Sequence, residues 1–530
     1  MMHVRILQVE DAKAFRDLRL ESFRESPLGF SESYQDEKER PLLDFEQEEA
    51  EILSASEDLP LTLRVEESGC IEELGKLWRK YKDDTFDVFH LTGHATLDAG
   101  QPVFLTETDT GELYKATAAE VLSAFRGRLP RLVFLSGCRT AQAGNEGSVA
   151  SMAATLVDQG IPAVLGWGQP VLDTSATQAA AQLYQGLAEG FSVIESLGAT
   201  YQQLIKQNIP DWHLLRLHAC DMGGQALVEP PGDYISPLET VQDQFLDPAG
   251  LVRVAGPEAF VGRRKPLQRS LKALKQTRGC IGVMLHGLGG NGKSTLAARL
   301  LERLSGYTPL VIYRHLDETA LTRQLSEQCE SEVGLQILNS ELPLPQRLSK
   351  FLKHGLNEAN QRFCFVLDDF EANLEADPNG KQVLKANAVS VVNALLTAIV
   401  QSGKPHRVII TSRYTVTLPQ QDRRSERLMV TALRPADLTK KCARLESFKP
   451  TSGVAVELQT QAKEVANGNP RLLEWLDKVL QDSGVDAEQI LSRMAAEELR
   501  FREDILAQAL LNQQAPELSQ LLARGLVYEI

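Results

Sequence analysis

"GVMLHGLGGNGKST" (residues 282–295) sets an apolar run against a loop carrying four glycines and closes on a lysine and two hydroxyl residues. It contains G-x-x-x-x-G-K-S as Gly287, Gly292, Lys293 and Ser294. A strand pattern ("IGVML") precedes it and a helix pattern ("STLAARLLERL") follows, which is the context a phosphate loop requires. Glycines at such a turn let backbone N–H groups converge on an anion. On this reading Gly287, Gly289, Gly290, Asn291 and Gly292 cradle phosphates and Lys293 reaches the β- and γ-phosphates. The Ser294 hydroxyl binds Mg²⁺, with Thr295 beside it, so ATP or ADP with Mg²⁺ is the expected cofactor.

Two further strand ends fit the same site. "FCFVLDDFE" (363–371) is an apolar strand ending in paired carboxylates. Asp368 at its tip would coordinate Mg²⁺, and Asp369 would orient or deprotonate an attacking water. A strand-end turn with solvated acids gives the same letters. "RVIITSR" (407–413) ends in Arg413, which either senses the γ-phosphate or is an ordinary strand-end arginine. "FVGR" (260–263), the phosphate loop, "VLDD", "IITSR" and "GNP" (468–470) follow one another in an order and spacing that resembles STAND NTPases, particularly the NB-ARC-like group. The resemblance implies that Val261, Gly262 and Arg263 line the adenine side and that Pro470 packs on the base. It also implies an ATP/ADP switch whose exchange assembles homo-oligomers. "LLARGLVYEI" (521–530) reads like the opening of the winged helix that follows in that group, expected here as truncated.

Upstream, strands alternate with helices from about residue 41, which implies a mostly parallel sheet covered on both faces. "LDFEQEEAEILSAS" and "CIEELGKLWRKY" read as helices, and "LPLTLRVEES" between them as a strand. "FDVFHLTGHA" and "LVFLSGCRT" (132–140) are apolar strands, each ending in glycine and then a reactive residue: Gly93–His94 and Gly137–Cys138. Neighbouring strand ends of a parallel sheet collect sites. Strands about 4.8 Å apart bring an imidazole and a thiol within reach of one another. Such pairing raises the thiolate fraction, and the glycines free N–H groups, here of Gly93 and Cys138, to face an oxyanion. A buried cysteine acting as a small hydrophobe is the other reading of Cys138.

Residues 41–220 resemble the caspase-like CHAT peptidases, through "HLTGHA", "PVFLTETDTGELYKATAAEV", "VFLSGCRTAQAG" and "IPAVLGWGQPVLDTSATQAAAQLYQGLAEG". The resemblance implies that His94 and Cys138 are a catalytic dyad acting on a protein substrate; His90, inside the apolar run, reads as a buried strand residue. Residues 1–40 are similar to the opening strand and helix of GNAT acetyltransferases, but no acetyl-CoA pyrophosphate loop follows. That stretch reads as a remnant or appendage.

The expected order is therefore a GNAT-like piece (1–40), a caspase-like α/β CHAT domain (41–225) and a linker (226–257). A P-loop NTPase α/β domain (258–435) and a helical subdomain (436–530) follow. The expected catalytic residues are His94, Cys138 and Asp369. Net charge is −15 over 530 residues, which argues against a broad grip on nucleic acid or an anionic membrane. Seven scattered cysteines form no C-x-x-C pair, so neither a zinc ribbon nor a disulfide scaffold is suggested, and a reducing cytoplasm fits best. The N-terminus has no secretory h-region, and "VSVVNALLTAIV" (389–400) is too short to span a bilayer and reads as a core helix. Together these readings and the two resemblances imply a nucleotide-regulated signalling protein with a caspase-like endopeptidase, and the resemblance suggests a role in bacterial defence or programmed cell death. The alternative is an ATP-binding scaffold whose CHAT domain is inert.

Overall fold

The computed structural model describes residues 45–497, with 502 and 505, apart from 57–58, 60, 62, 82–85, 139–151, 170, 221–225, 229–243, 257–258, 379, 419–423, 450–451 and 483. The GNAT-like stretch and the winged-helix-like end lie outside the described residues.

The first half runs α1 (Phe45–Ala55), α2 (Ile71–Lys80), β1 (Val88–Asp98), β2 (Gln101–Glu107), β3 (Leu113–Thr117), α3 (Ala118–Phe125), β4 (Leu132–Cys138), α4 (Met152–Asp158), β5 (Ala163–Trp167), α5 (Asp173–Ala188), α6 (Val193–Lys206) and β6 (Leu215–Ala219). One six-stranded sheet has the order β3-β2-β1-β4-β5-β6. Its three central strands, β1, β4 and β5, are parallel, while the β2–β3 hairpin and β6 run antiparallel at the edges. Strand period decides which side chain meets which layer. Leu132 and Phe134 of β4 enter one core with α5, and Val133 and Leu135 enter the other with α3. Capping boxes at Thr117/Glu120 and Ser192/Glu195 start α3 and α6.

Two expectations are corrected. The described residues of the segment 59–68 form no strand. And β1 does not stop at Gly93–His94: it leaves β4 there and continues to Asp98 against β2. Gly93 makes this change of partner at φ +155°, where a Cβ would stand 2.8 Å from the Phe104 ring.

The second half begins with β7 (Gln244–Phe245) and β8 (Arg253–Val254); Leu246, Val252 and Val254 of this segment join a core of the second sheet although they fall in the stretch read as linker. Then come α7 (Arg264–Lys275), β9 (Gly282–His286), α8 (Lys293–Arg303), β10 (Thr308–Tyr313), α9 (Glu318–Gln328), α10 (Glu332–Leu338), α11 (Leu344–Lys350), β11 (Phe363–Asp368), a small hairpin β12 (Leu374–Ala376) and β13 (Gln382–Leu384), α12 (Ala386–Ser402), β14 (Arg407–Ser412) and β15 (Ser425–Met429). The main sheet is wholly parallel, in the order β10-β11-β14-β9-β15. Phe363, Phe365 and Leu367 of β11 face one core, Cys364 and Val366 the other. The apolar stretch 389–400 is the middle of α12, packed in that first core. No helix among the described residues is long and apolar enough to cross a membrane.

α13 (Pro435–Cys442), α14 (Val456–Ala466), α15 (Pro470–Gln481) and α16 (Ala487–Ala496) share a separate small core. From Glu46 onward the described residues form a single unit. Basic α7 lies on the acidic β2–β3 hairpin: Arg264 pairs with Glu107 at 2.9 Å, Lys275 with Asp109, and Gln276 donates to Thr110 at 3.0 Å.

Candidate functional site

The phosphate loop opens from the carboxyl end of β9, between β14 and β15, and feeds α8. Gly287, at φ +133°, passes so near Val430 that a Cβ would lie 2.6 Å from its carbonyl oxygen. Gly290 (φ +72°) and Gly292 (φ +84°) are also left-handed, as a loop turning its N–H groups inward needs. Asn291 is buried and donates to Val430 O at 3.0 Å, pinning the loop to the end of β15. Gly289 O accepts from Asn469. Lys293, 7% exposed, donates to the carbonyls of Gly287 (3.0 Å) and Leu288 (2.9 Å). Burial lowers its pKa; Glu371 and Asp369 oppose this, and Arg413 and Arg471 reinforce it.

Ser294 donates to Asp368 Oδ2 at 3.1 Å, and Thr411 donates to Asp368 Oδ1 at 2.6 Å. Burial pushes the Asp368 carboxyl up to about 6, against the hydrogen bonds from Thr411 and Ser294. A buried carboxylate beside a hydroxyl at the head of the helix is the donor set a magnesium ion takes, so these residues fit the group. Asp369 has left-handed backbone (φ +50°), and its N–H donates to Thr411 Oγ1 at 3.1 Å. Arg413 follows β14 and pairs with Glu371 at 3.3 Å. Thr295 Oγ1 accepts from Ala255 N at 3.4 Å, which ties it to the β7–β8 segment.

Val261 is buried, and Gly262 and Arg263 are both left-handed at φ +66°. Arg263 donates to Asn291 O (3.1 Å) and Ala432 O (3.3 Å), joining this segment to the loop. Pro470 is the first residue of α15. Around it the helical subdomain closes on the loop: Asn469 Nδ2 donates to Gly289 O at 2.8 Å and Arg471 N to Gly290 O at 3.4 Å. Thr411, Glu371, Asn469 and Arg471 escaped the sequence reading. Thr411, Glu371 and Asn469 stand within the quoted motifs, but only the parallel register of β11 and β14 brings Thr411 to Asp368.

In the other half, β1 and β4 run in register through Thr92↔Ser136, Gly93↔Gly137 and His94↔Cys138. The Cα partners at the last step of the parallel ladder are thus the histidine and the cysteine. By the two-residue period, positions 94 and 138 share a face with 90, 92, 134 and 136. His90 stacks on Phe134 (4.6 Å) and Tyr184 (5.7 Å), and burial lowers its pKa against the opposing pull of Glu48. It packs as a largely buried strand residue, with its Nε2 3.7 Å from Glu48 Oε1. Glu48 of α1, 6% exposed, accepts from Thr92 Oγ1 and from Ser136 Oγ (3.1 Å), bridging the two strands directly below the pair. The six cysteines whose side chains are described are free thiols.

Residues 2–245 match the family model of the CHAT domain, a span that takes in the GNAT-like stretch. No curated protein matches the chain. Among solved structures, the chain is similar to a Walker-type ATPase of Pyrococcus abyssi, with 13% identity over 51% of this chain and 77% of that one and a TM-score of 0.31. It is similar also to a STAND protein with a tetratricopeptide repeat sensor from Pyrococcus horikoshii, at 16% identity over 49% of this chain and 35% of that one, TM-score 0.27. Cdc6p from Pyrobaculum aerophilum matches at 16% identity over 44% of this chain and 62% of its own length, TM-score 0.30.

Proposed function

We propose that the protein is a nucleotide-regulated signalling protein in which an ATP/ADP-binding switch controls a Cys138–His94 endopeptidase. The pairing of His94 with Cys138 across β1 and β4 carries this reading. Support comes from the CHAT match over the same half and from a phosphate loop in the other half, on which the helical subdomain closes. Cys138 attacks the scissile carbonyl; His94 takes the thiol proton and returns it to the leaving amine, and water then releases the acyl group. Lys293 and the loop N–H groups bind the phosphates, Val261 to Arg263 and Pro470 hold the base, and Arg413 meets the γ-phosphate. Ser294 and Asp368 would hold a magnesium ion, which neutralises phosphate charge. Asp369 holds the water beside the γ-phosphate. The substrate is a protein, exchange of ADP for ATP brings copies together, and the setting is cytoplasmic defence or cell death.

The test uses the full chain. Cys138→Ala abolishes cleavage and cysteine-probe labelling, by about a thousandfold or more, and leaves ATP affinity unchanged. Lys293→Ala weakens ATP binding about ten- to a hundredfold, through loss of a charge-assisted contact. Particle size measured with ADP and with a non-hydrolysable ATP analogue reports assembly. Probe labelling absent from Cys138 in every nucleotide state would leave an ATP-binding scaffold with an inert CHAT domain.

A further inference from the structure

Two adjacent carboxylates of α1 serve different halves of the protein. Neighbours on a helix point about 100° apart, so one turn can touch two partners. Glu48 reaches into the first sheet and holds Thr92 of β1 and Ser136 of β4, each two residues before the His94–Cys138 pair. Glu49 points the other way, to Lys440 of α13, 391 residues along the chain.

Lys440 is 2% exposed and lies among Glu49, Glu67 (3.1 Å) and Asp437 (3.8 Å). Glu67 in turn accepts from the N–H of Gly262, in the segment assigned to the adenine side (3.2 Å). Gly262 leaves no room for a side chain there, since a Cβ would stand 2.6 Å from the Asp437 carboxylate. The node therefore joins α1, the 261–263 segment and the helical subdomain. α13 shares its core with α15, and Leu433 N, just before it, donates to Gly468 O at 2.8 Å, just before Pro470.

We propose that α1 couples the nucleotide site to the cysteine–histidine pair: Lys440 holds Glu49, and the same helix turn presents Glu48 as the clamp on the tips of β1 and β4. Glu48 is a positioning residue, acting through Thr92 and Ser136. The inference deepens the proposed function and rests on its nucleotide control of Cys138. A buried ion pair does not stretch by degrees, because separation strands an uncompensated charge. The joint is thus either made, with α1 following the helical subdomain, or broken, with α1 released. Such a two-state element is what transmission between distant sites requires.

The experiment follows iodoacetamide labelling of the Cys138 peptide in the full chain, under saturating ADP–Mg²⁺ and under a saturating non-hydrolysable ATP analogue with Mg²⁺. The exposed Cys220 serves as internal control. The wild type is expected to show rates differing about fivefold or more between the two nucleotides. Glu49→Gln removes one charge and keeps the shape and the other two partners of Lys440. It is expected to bring the ratio close to one while both nucleotide affinities stay as in wild type. Lys440→Met is expected to do the same, and Glu49→Gln added to it has no further effect. Since Lys440→Met leaves buried carboxylates unpaired and can unfold the subdomain, Glu49→Gln carries the test alone. Glu48→Gln is expected to retain part of the labelling lost in Glu48→Ala, with unchanged nucleotide affinity. A wild-type ratio kept in Glu49→Gln overturns the coupling and leaves nucleotide control standing. A wild-type ratio of one with both nucleotides bound overturns nucleotide control itself, and the coupling with it.

Discussion

His406 is wholly buried before β14, where Phe363 N–H donates to its Nδ1 at 3.1 Å. Its Nε2 therefore carries the proton, 3.4 Å from Leu352 O. Burial is the main cause that pushes its pKa down to about 4 from the ordinary 6.5, with Lys404 and Arg407 adding to it against the bond to Leu352. Between those values the unfolded chain binds a proton that the folded one refuses. The stability contribution is thus complete above 6.5 and is lost as pH falls toward 4. A gap of that size is worth roughly 3 kcal/mol. Hydrogen exchange of the β11 amides, corrected for intrinsic rates, should show protection falling over that window. His406→Gln should flatten the dependence and cost about 1–2 kcal/mol at pH 7. Nothing in the sequence marks this histidine, because its partners lie 43 and 54 residues away. The phosphate loop was legible for the opposite reason: its glycines, Lys293 and Ser294 are neighbours whose chemistry is local. Glu48, Glu49 and Lys440 lack any such local pattern, and only folding makes them a cluster.

At the scale of elements, Asn469 does two jobs. As N-cap of α15 it accepts from the N–H groups of Arg471 (3.1 Å) and Leu472 (3.2 Å), and it donates to Gly289 O in the phosphate loop. Asn469→Ala should destabilise the helix by about 1 kcal/mol. It should also speed nucleotide release severalfold, the joint to the loop being worth a similar amount. Asn469→Ser restores a capping oxygen but replaces the amide N–H that reaches Gly289 O with a single shorter hydroxyl at the cap, so it should recover the thermal stability of the subdomain and keep the fast release. Stopped-flow displacement of a fluorescent ADP, beside a melting curve, separates the two; wild-type release in Asn469→Ser would deny the joint. Helices were legible where apolar residues recur at helical spacing. The failure at 59–68 has a physical cause: Leu59, Leu61, Leu63 and Val65 alternate like a strand. Yet Glu66 takes the N–H groups of Ser68 and Cys70 at the head of α2, and Glu67 goes to Lys440 and Gly262. The segment is held as a connection between domains. In β1 the strand was read rightly and its end was not, since the strand exchanges β4 for β2 at Gly93, where a Cβ would stand 2.8 Å from the Phe104 ring.

Across the whole molecule, a net charge of −15 conceals a joint between basic and acidic surfaces. α7 brings Arg264, Lys272 and Lys275 to Glu107, Glu112 and Asp109 of the hairpin, and Arg303 of α8 meets Glu66 and Glu73. Composition cannot reveal such a match, because it sums charges that folding sorts onto two faces. Gly111 lets the hairpin tip come close, a Cβ there standing 3.1 Å from the Gln268 amide oxygen. Most of these pairs are partly exposed, so each contributes about 0.2–1 kcal/mol and is weakened by salt. The joint is therefore one whose strength changes with ionic strength. Lys275→Glu should place like charges together and reduce hydrogen-exchange protection of residues 101–117, more at about 50 mM salt than at about 500 mM, where screening is strong. Adding Asp109→Lys should recover most of that protection, with a coupling of about 1 kcal/mol in the double-mutant cycle. Additive effects of the two substitutions would show that Lys275 and Asp109 contribute no pairwise attraction to the joint.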